Sequence, residues 1–107
     1  MNMISIIVPA YNEESGIRKT VERVKGVKFN ERSEIIVVDD GSRDNTYSEA
    51  GKIRGIRVLK HGKNKGKAVA LYTGFNSAKG DVVATIDADC TYPPEALPKM
   101  LEIMRED

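Results

Sequence analysis

"VVATIDADCT" (residues 82–91) decides the fold, because five residues with the make-up of a buried strand run straight into two aspartates separated by one alanine. A short β-branched run unbroken by polar groups is how a strand covered on both faces reads. The carboxylates that follow therefore belong at its carboxyl end, outside the layers that hide it. The same grammar appears twice more: "ISIIV" (4–8) leads into "PAYNEE" (9–14), and "IIVV" (35–38) leads into "DDGSRDNT" (39–46). "IRVL" (56–59) is a further strand candidate, and its exit carries no comparable acidic cluster.

Helical spacing fills the gaps. Ile17, Val21 and Val24 fall at i, i+4 and i+7, Ala70, Leu71, Gly74 and Phe75 suggest a second packed face, and Leu97, Met100, Leu101 and Met104 form another stripe. Pro98 fits that last helix only near its start, since an interior proline removes a hydrogen bond and clashes with the preceding turn. Strand and helix alternate four times, which predicts an α/β fold: a doubly wound, mainly parallel sheet with right-handed crossovers. With strand order 3-2-1-4, ligands bind beyond the carboxyl ends where the order reverses. That order brings Tyr11, Asn12 and Glu13 beside Asp87 and Asp89.

The totals narrow the function. At 107 residues and 40% apolar content the chain has room for one domain. Its 17 basic and 16 acidic side chains leave a net charge of +1, so bulk electrostatics give no reason to expect nucleic acid or an anionic membrane surface. Cys90 is the single cysteine and has no internal disulfide partner, which fits a reducing, cytoplasmic compartment. No apolar run approaches the roughly 20 residues that span a bilayer, and the N-terminus lacks the regions of a secretory signal.

On an extended chain Asp87 and Asp89 point to one side, roughly 6–7 Å apart, with Ala88 turned away. Paired carboxylates repel, and a hard divalent cation with oxygen ligands, magnesium or manganese, relieves them; a solvated acidic turn is the plainer reading. At least one of Asp39 and Asp40 should face the rim, where a carboxylate could accept hydrogen bonds from nucleobase N–H groups. Asp44, Asn45 and Thr46 read as turn and helix-cap chemistry. In "KNKGKA" (63–68), Lys63, Lys65 and Lys67 surround Gly66 at a helix start, a setting that favours a phosphate-bearing ligand, although each lysine alone also reads as solvated surface. The spacing is not that of a Walker A loop. Tyr11 either stacks on a base or covers the sheet edge. His61 and Cys90 have no partners at metal-ligand or catalytic spacing and read as incidental.

Four stretches, "VPAYNEE", "VVDDGSRDNT", "NKGKAVALYTGF" and "GDVVATIDADCTYPPEALPKM", resemble in order and spacing the family 2 glycosyltransferases of GT-A fold. Within that family they look most like the dolichyl- or polyprenyl-phosphate mannosyl- and glucosyltransferases. The resemblance implies that residues 1–107 are the nucleotide-sugar-binding part of a GT-A domain, stopping before the acceptor-binding part. It implies transfer of a hexose from GDP-mannose or UDP-glucose to an acceptor such as a polyprenyl or dolichyl phosphate, with magnesium or manganese. It places Pro9, Tyr11 and Glu13 around the nucleotide and Val38 and Asp40 beside the base, while the lysine-rich loop itself offers Lys65 as a candidate donor-site residue. Asp87, Ala88 and Asp89 become a DxD element, in which both aspartates serve catalysis and Asp89 is the better metal ligand. Thr91 stands where many relatives have glutamine, and Cys90 replaces a larger apolar residue.

The same resemblance implies a full-length protein at the cytoplasmic face of a membrane, and a fragment that binds donor without turnover. Two other readings compete. "DADCT" fits the DxDxT nucleophile motif of haloacid-dehalogenase-type phosphatases, but those carry it on their first core strand. A non-catalytic nucleotide-sugar-binding domain would keep the rim and lose the transfer machinery.

Overall fold

The β-branched runs pair side by side because each is apolar on both faces and hides only between two helical layers. In the computed structural model, which describes residues 3–106, they form β1 (Met3–Ala10), β2 (Arg32–Asp39), β3 (Arg57–Lys60) and β4 (Val82–Thr85). The helices are α1 (Ile17–Lys25), α2 (Thr46–Gly51), α3 (Lys67–Ser77) and α4 (Leu97–Glu106), the last preceded by a 3₁₀ turn at Pro94–Ala96. All pairings are parallel and the order is β3-β2-β1-β4, as the alternation predicts.

Register fixes the site. Ile7 pairs with Ile36 of β2 on one side and Thr85 of β4 on the other. The Ile86 amide donates to the Ile7 carbonyl at 3.0 Å, so the exits of β1 and β4 leave the sheet together. Alternation along the strands separates two cores. Ile4, Ile6, Val8, Ile35 and Val37 pack with Ile17, Val21 and Val24 of α1 and Leu97 and Leu101 of α4. Ile7, Ile36 and Val38 face α3 through Ala70. α3 comes close because its sheet-facing residues are small: a Cβ on Gly74 would lie 2.5 Å from Ile7 Cγ2.

Several expectations shift. β3 starts one residue later than predicted and β4 stops at Thr85, one residue earlier. Both are edge strands, paired on one side only, and each spans only part of its longer neighbour. α2 has six residues and no apolar stripe to betray it; Thr46 and Ala50 are its buried contacts. In α4, Leu97 and Leu101 are buried but Met100 and Met104 are 56% and 54% exposed, and in α3 Phe75 is 61% exposed. Pro98 occupies the second position of α4, where its missing N–H costs nothing. Among the described residues no helix is long and apolar enough to cross a membrane.

Candidate functional site

The exits of β1 and β2 are stitched together. Asn12 takes φ 52°, a backbone region asparagine tolerates better than most residues. Its amide donates to Ser42 Oγ at 2.9 Å and its Oδ1 accepts from the Arg43 amide at 2.9 Å. The Glu13 amide donates to the buried Thr46 hydroxyl at 2.8 Å, and the Glu14 amide to Asp44 Oδ2 at 3.2 Å. Asp44 also accepts from the Thr46 amide at 3.0 Å. The turn reading of residues 44–46 therefore holds but the cap reading does not: Asn45 stands at the N-cap of α2 without a side-chain cap bond, and Asp44 and Thr46 tie down the loop that carries Tyr11 and Glu13.

Asp40 is the hub of the second wall. Its Oδ1 accepts from His61 Nδ1 at 2.7 Å and from the Lys65 amide at 2.9 Å; its Oδ2 accepts from the Gly66 amide at 2.9 Å and Asn64 Nδ2 at 3.0 Å. Two oxygens offer about four lone-pair sites, and all four are taken by the chain's own donors. Burial works against the charge, but the bonds from His61, Lys65 and Gly66 outweigh it and hold the Asp40 carboxyl below its ordinary pKa. Beneath the same loop sits Gly41 at φ 68°, where a Cβ would lie 2.3 Å from the Lys63 carbonyl carbon. The loop at 61–66 is thus seated directly on the end of β2.

The third wall is the acidic turn. Asp87 and Asp89 do not lie on an extended strand as the spacing suggested: the Cys90 amide closes a turn onto the Asp87 carbonyl at 2.9 Å, and Cys90 has φ 58°. The Thr20 hydroxyl of α1 pins this turn by donating to the Ala88 carbonyl at 2.6 Å, with Ala88 buried in the larger core. Asp89 Oδ1 accepts from the Thr91 hydroxyl at 2.6 Å and the Thr91 amide at 3.1 Å, which lowers its pKa. Lys67 Nζ donates to Asp87 Oδ1 at 2.6 Å across the cleft, and this contact raises the lysine pKa. The Oδ2 of each aspartate accepts no bond from another residue among the described ones.

These walls enclose a cleft of about 320 Å³ lined by Pro9, Tyr11, Glu13, Asp40, Asn64, Lys67, Asp87 and Asp89, among others. That is the size at which ligand clefts begin. Of the sequence-derived residues, Pro9, Tyr11, Glu13, Asp40, Asp87, Ala88 and Asp89 all line it. Val38 does not: it is fully buried against α3, because residues alternate and its side chain belongs to the core. Lys65 does not line it either; it contributes its backbone amide to Asp40, and Lys67 supplies the cationic side chain instead. His61, read as incidental, is 8% exposed and bonded at both ring nitrogens, the second to Thr73 Oγ1 at 2.8 Å. Its position directly after β3, on the same rim as the other exits, was the available signal.

Residues 5–107 match the family model for Glycosyl transferase family 2. The chain belongs to this family. It is 35% identical over 105 residues to a dolichol-phosphate mannosyltransferase of Pyrococcus furiosus, covering 95% of this chain and 30% of that protein. It is 39% identical over 113 residues to an undecaprenyl-phosphate 4-deoxy-4-formamido-L-arabinose transferase of Proteus mirabilis, covering 99% and 35%. Among solved structures it resembles the mannosyltransferase PcManGT of Pyrobaculum calidifontis, determined with GDP-Man and Mn2+, at TM-score 0.78 and 28% identity over 87% of this chain and 29% of that one. The chain thus spans about a third of the length of these relatives. The four-stranded parallel sheet is the GT-A arrangement that the motifs implied. The family match also sets aside the phosphatase reading, and the DxDxT letters follow the fourth strand rather than the first.

Proposed function

We propose that this chain is the donor-binding part of a glycosyltransferase that takes a hexose from GDP-mannose or UDP-glucose. In the full-length protein the acceptor is a polyprenyl or dolichyl phosphate met at the cytoplasmic face of a membrane. One observation carries the reading: the exits of β1 and β4 lie side by side, and the acidic turn faces a wall that Asp40 holds in place. Relatives named for dolichol-phosphate and undecaprenyl-phosphate transfer support the acceptor class.

A divalent cation fits the acidic turn. Its donors are all oxygens, the set that magnesium and manganese prefer, and two carboxylates leave room for waters and a diphosphate in the shell. Among the described residues no cluster of three or more metal-ligating side chains exists. Asp89 would hold the ion with Asp87 beside it, and a cation there stabilises the negative charge that grows on a departing nucleoside diphosphate. The chain's own groups do the remaining work. Lys67, at the first turn of α3, brings an ammonium to the same face and is available to the diphosphate when its contact with Asp87 is exchanged. Tyr11, 41% exposed, offers a ring for the base or ribose, with Glu13 close by on the same loop. Asp40 lies at the base end as the wall's anchor.

Calorimetric titration with GDP-mannose and UDP-glucose, each with and without Mn2+, tests the proposal. One of the two sugars should bind with Mn2+ and lose at least about tenfold in affinity without it. Binding indifferent to metal, or none to either donor by a folded sample, would remove the proposal.

A further inference from the structure

The relay from Thr73 through His61 to Asp40 has no role in the donor contacts described above, yet it is the best-buried polar chain beside the cleft. We propose that His61 is a positioning residue: it sets the Asp40 carboxylate so that the loop at 63–66, which walls the donor cleft and delivers Lys67, adopts one conformation. This rests on the donor-cleft reading for its consequence, but not for its structural core.

Of the four donors on Asp40, those of Asn64, Lys65 and Gly66 belong to the loop being positioned and move with it. His61 is different, because it is anchored independently of the loop. Its own amide donates to the Asp39 carbonyl at 2.9 Å as an extension of the sheet, and its Nε2 meets Thr73 Oγ1 on α3 at 2.8 Å. A carboxylate with lowered pKa is acceptor only, so Nδ1 carries the proton toward Asp40. In the neutral ring Nε2 then accepts from the Thr73 hydroxyl, which can also reverse its role. His61 therefore aims Oδ1 from a fixed frame, and the geometry of the remaining lone pairs dictates where the Lys65 and Gly66 amides settle. Charge-assisted bonds of this kind contribute more than neutral ones.

Two conservative variants separate the bond to Asp40 from the bond to Thr73. In His61→Asn the amide nitrogen takes the place of Nδ1; in His61→Gln it takes the place of Nε2. Amide hydrogen exchange at Lys65 and Gly66, read by NMR against Ile6 in the central strand β1, reports the loop without any ligand. We expect exchange at Lys65 and Gly66 to quicken at least about tenfold in His61→Gln and to stay within about threefold of wild type in His61→Asn, with Ile6 unchanged in both. Mn2+-dependent affinity for GDP and UDP should follow the same split, weakening about tenfold in His61→Gln and recovering in His61→Asn. Equal exchange in both variants, whether like wild type or uniformly fast, overturns the positioning role. If the wild-type chain binds neither nucleotide, the donor-binding reading fails while the exchange result still decides the role of His61.

Discussion

The two acidic walls of the cleft are built in opposite ways. Asp40 is 3% exposed and its lone pairs are filled by donors of its own chain; Asp89 is exposed, and one of its oxygens receives nothing from another residue among those described. Both are aspartates at the carboxyl end of a parallel strand or just beyond it, so position alone does not separate them. Saturation does. A carboxylate already bonded on every side shapes the protein, whereas one with open valence at the surface is the one that meets a ligand.

Substitutions should break that symmetry cleanly. The largest effect on stability belongs to Asp40→Ala, which strands buried or half-buried donors from His61, Asn64, Lys65 and Gly66; we expect a loss of about 3 kcal/mol or more in urea unfolding. Gly41→Ala should cost about 2 kcal/mol by the same measurement, because its positive φ and the 2.3 Å approach to the Lys63 backbone both oppose a Cβ. Asp89→Asn should leave unfolding within about 0.5 kcal/mol of wild type, since its group is exposed. It should nonetheless weaken Mn2+-dependent donor binding by about tenfold, and by more than Thr91→Ala does. If Asp89→Asn and Thr91→Ala weaken binding equally, the metal role of Asp89 is wrong.

pH sharpens the same contrast. The folded pKa of Asp40 lies below its unfolded value, so its contribution is fully present above the unfolded pKa and drains as pH falls through the folded one. Stability of the wild-type chain should therefore decline below about pH 4, and Asp40→Asn should flatten that decline in acid titrations followed by circular dichroism. Glu34, Asp44, Glu49, Asp89 and Glu95, whose pKa values are also lowered, contribute to the slope that remains. Lys67→Ala gives the smallest change: the Lys67–Asp87 pair is exposed and solvent-screened, so unfolding should move by less than about 0.5 kcal/mol. Donor affinity should fall only a few fold.

How much of this was legible in the sequence follows from the same distinction. Strand order and the meeting of β1 with β4 could be read because buried parallel strands leave unbroken apolar runs and crossover handedness prunes the alternatives. The place of the acidic pair at the exit of β4 could be read from the apolar run before it, but its turn could not, because the bond from the Cys90 amide to the Asp87 carbonyl and the positive φ of Cys90 leave no mark in the spacing of the aspartates. The wall around Asp40 could not, since its bonds join residues 21 to 26 positions apart, and no local pattern shows that His61 and two loop amides converge on one carboxylate. Lys65 and Lys67 are alike by composition; only the helix start at Gly66 decides which side chain reaches Asp87. Val38 was misplaced by the same token, as its place beside a motif says nothing of which face it occupies.

The central claim is that the adjoining ends of β1 and β4 form one cradle for a cation and a nucleoside diphosphate. Paramagnetic line broadening tests it most directly: Mn2+ is added to the isotopically labelled chain in the presence of GDP or UDP, and the bleached amides are mapped. Broadening centred on Asp87 to Thr91 and reaching Tyr11, with Ser33 and Lys79 at the far end of the sheet untouched, is the predicted result. Broadening centred elsewhere, or spread evenly over the surface acids, would contradict it.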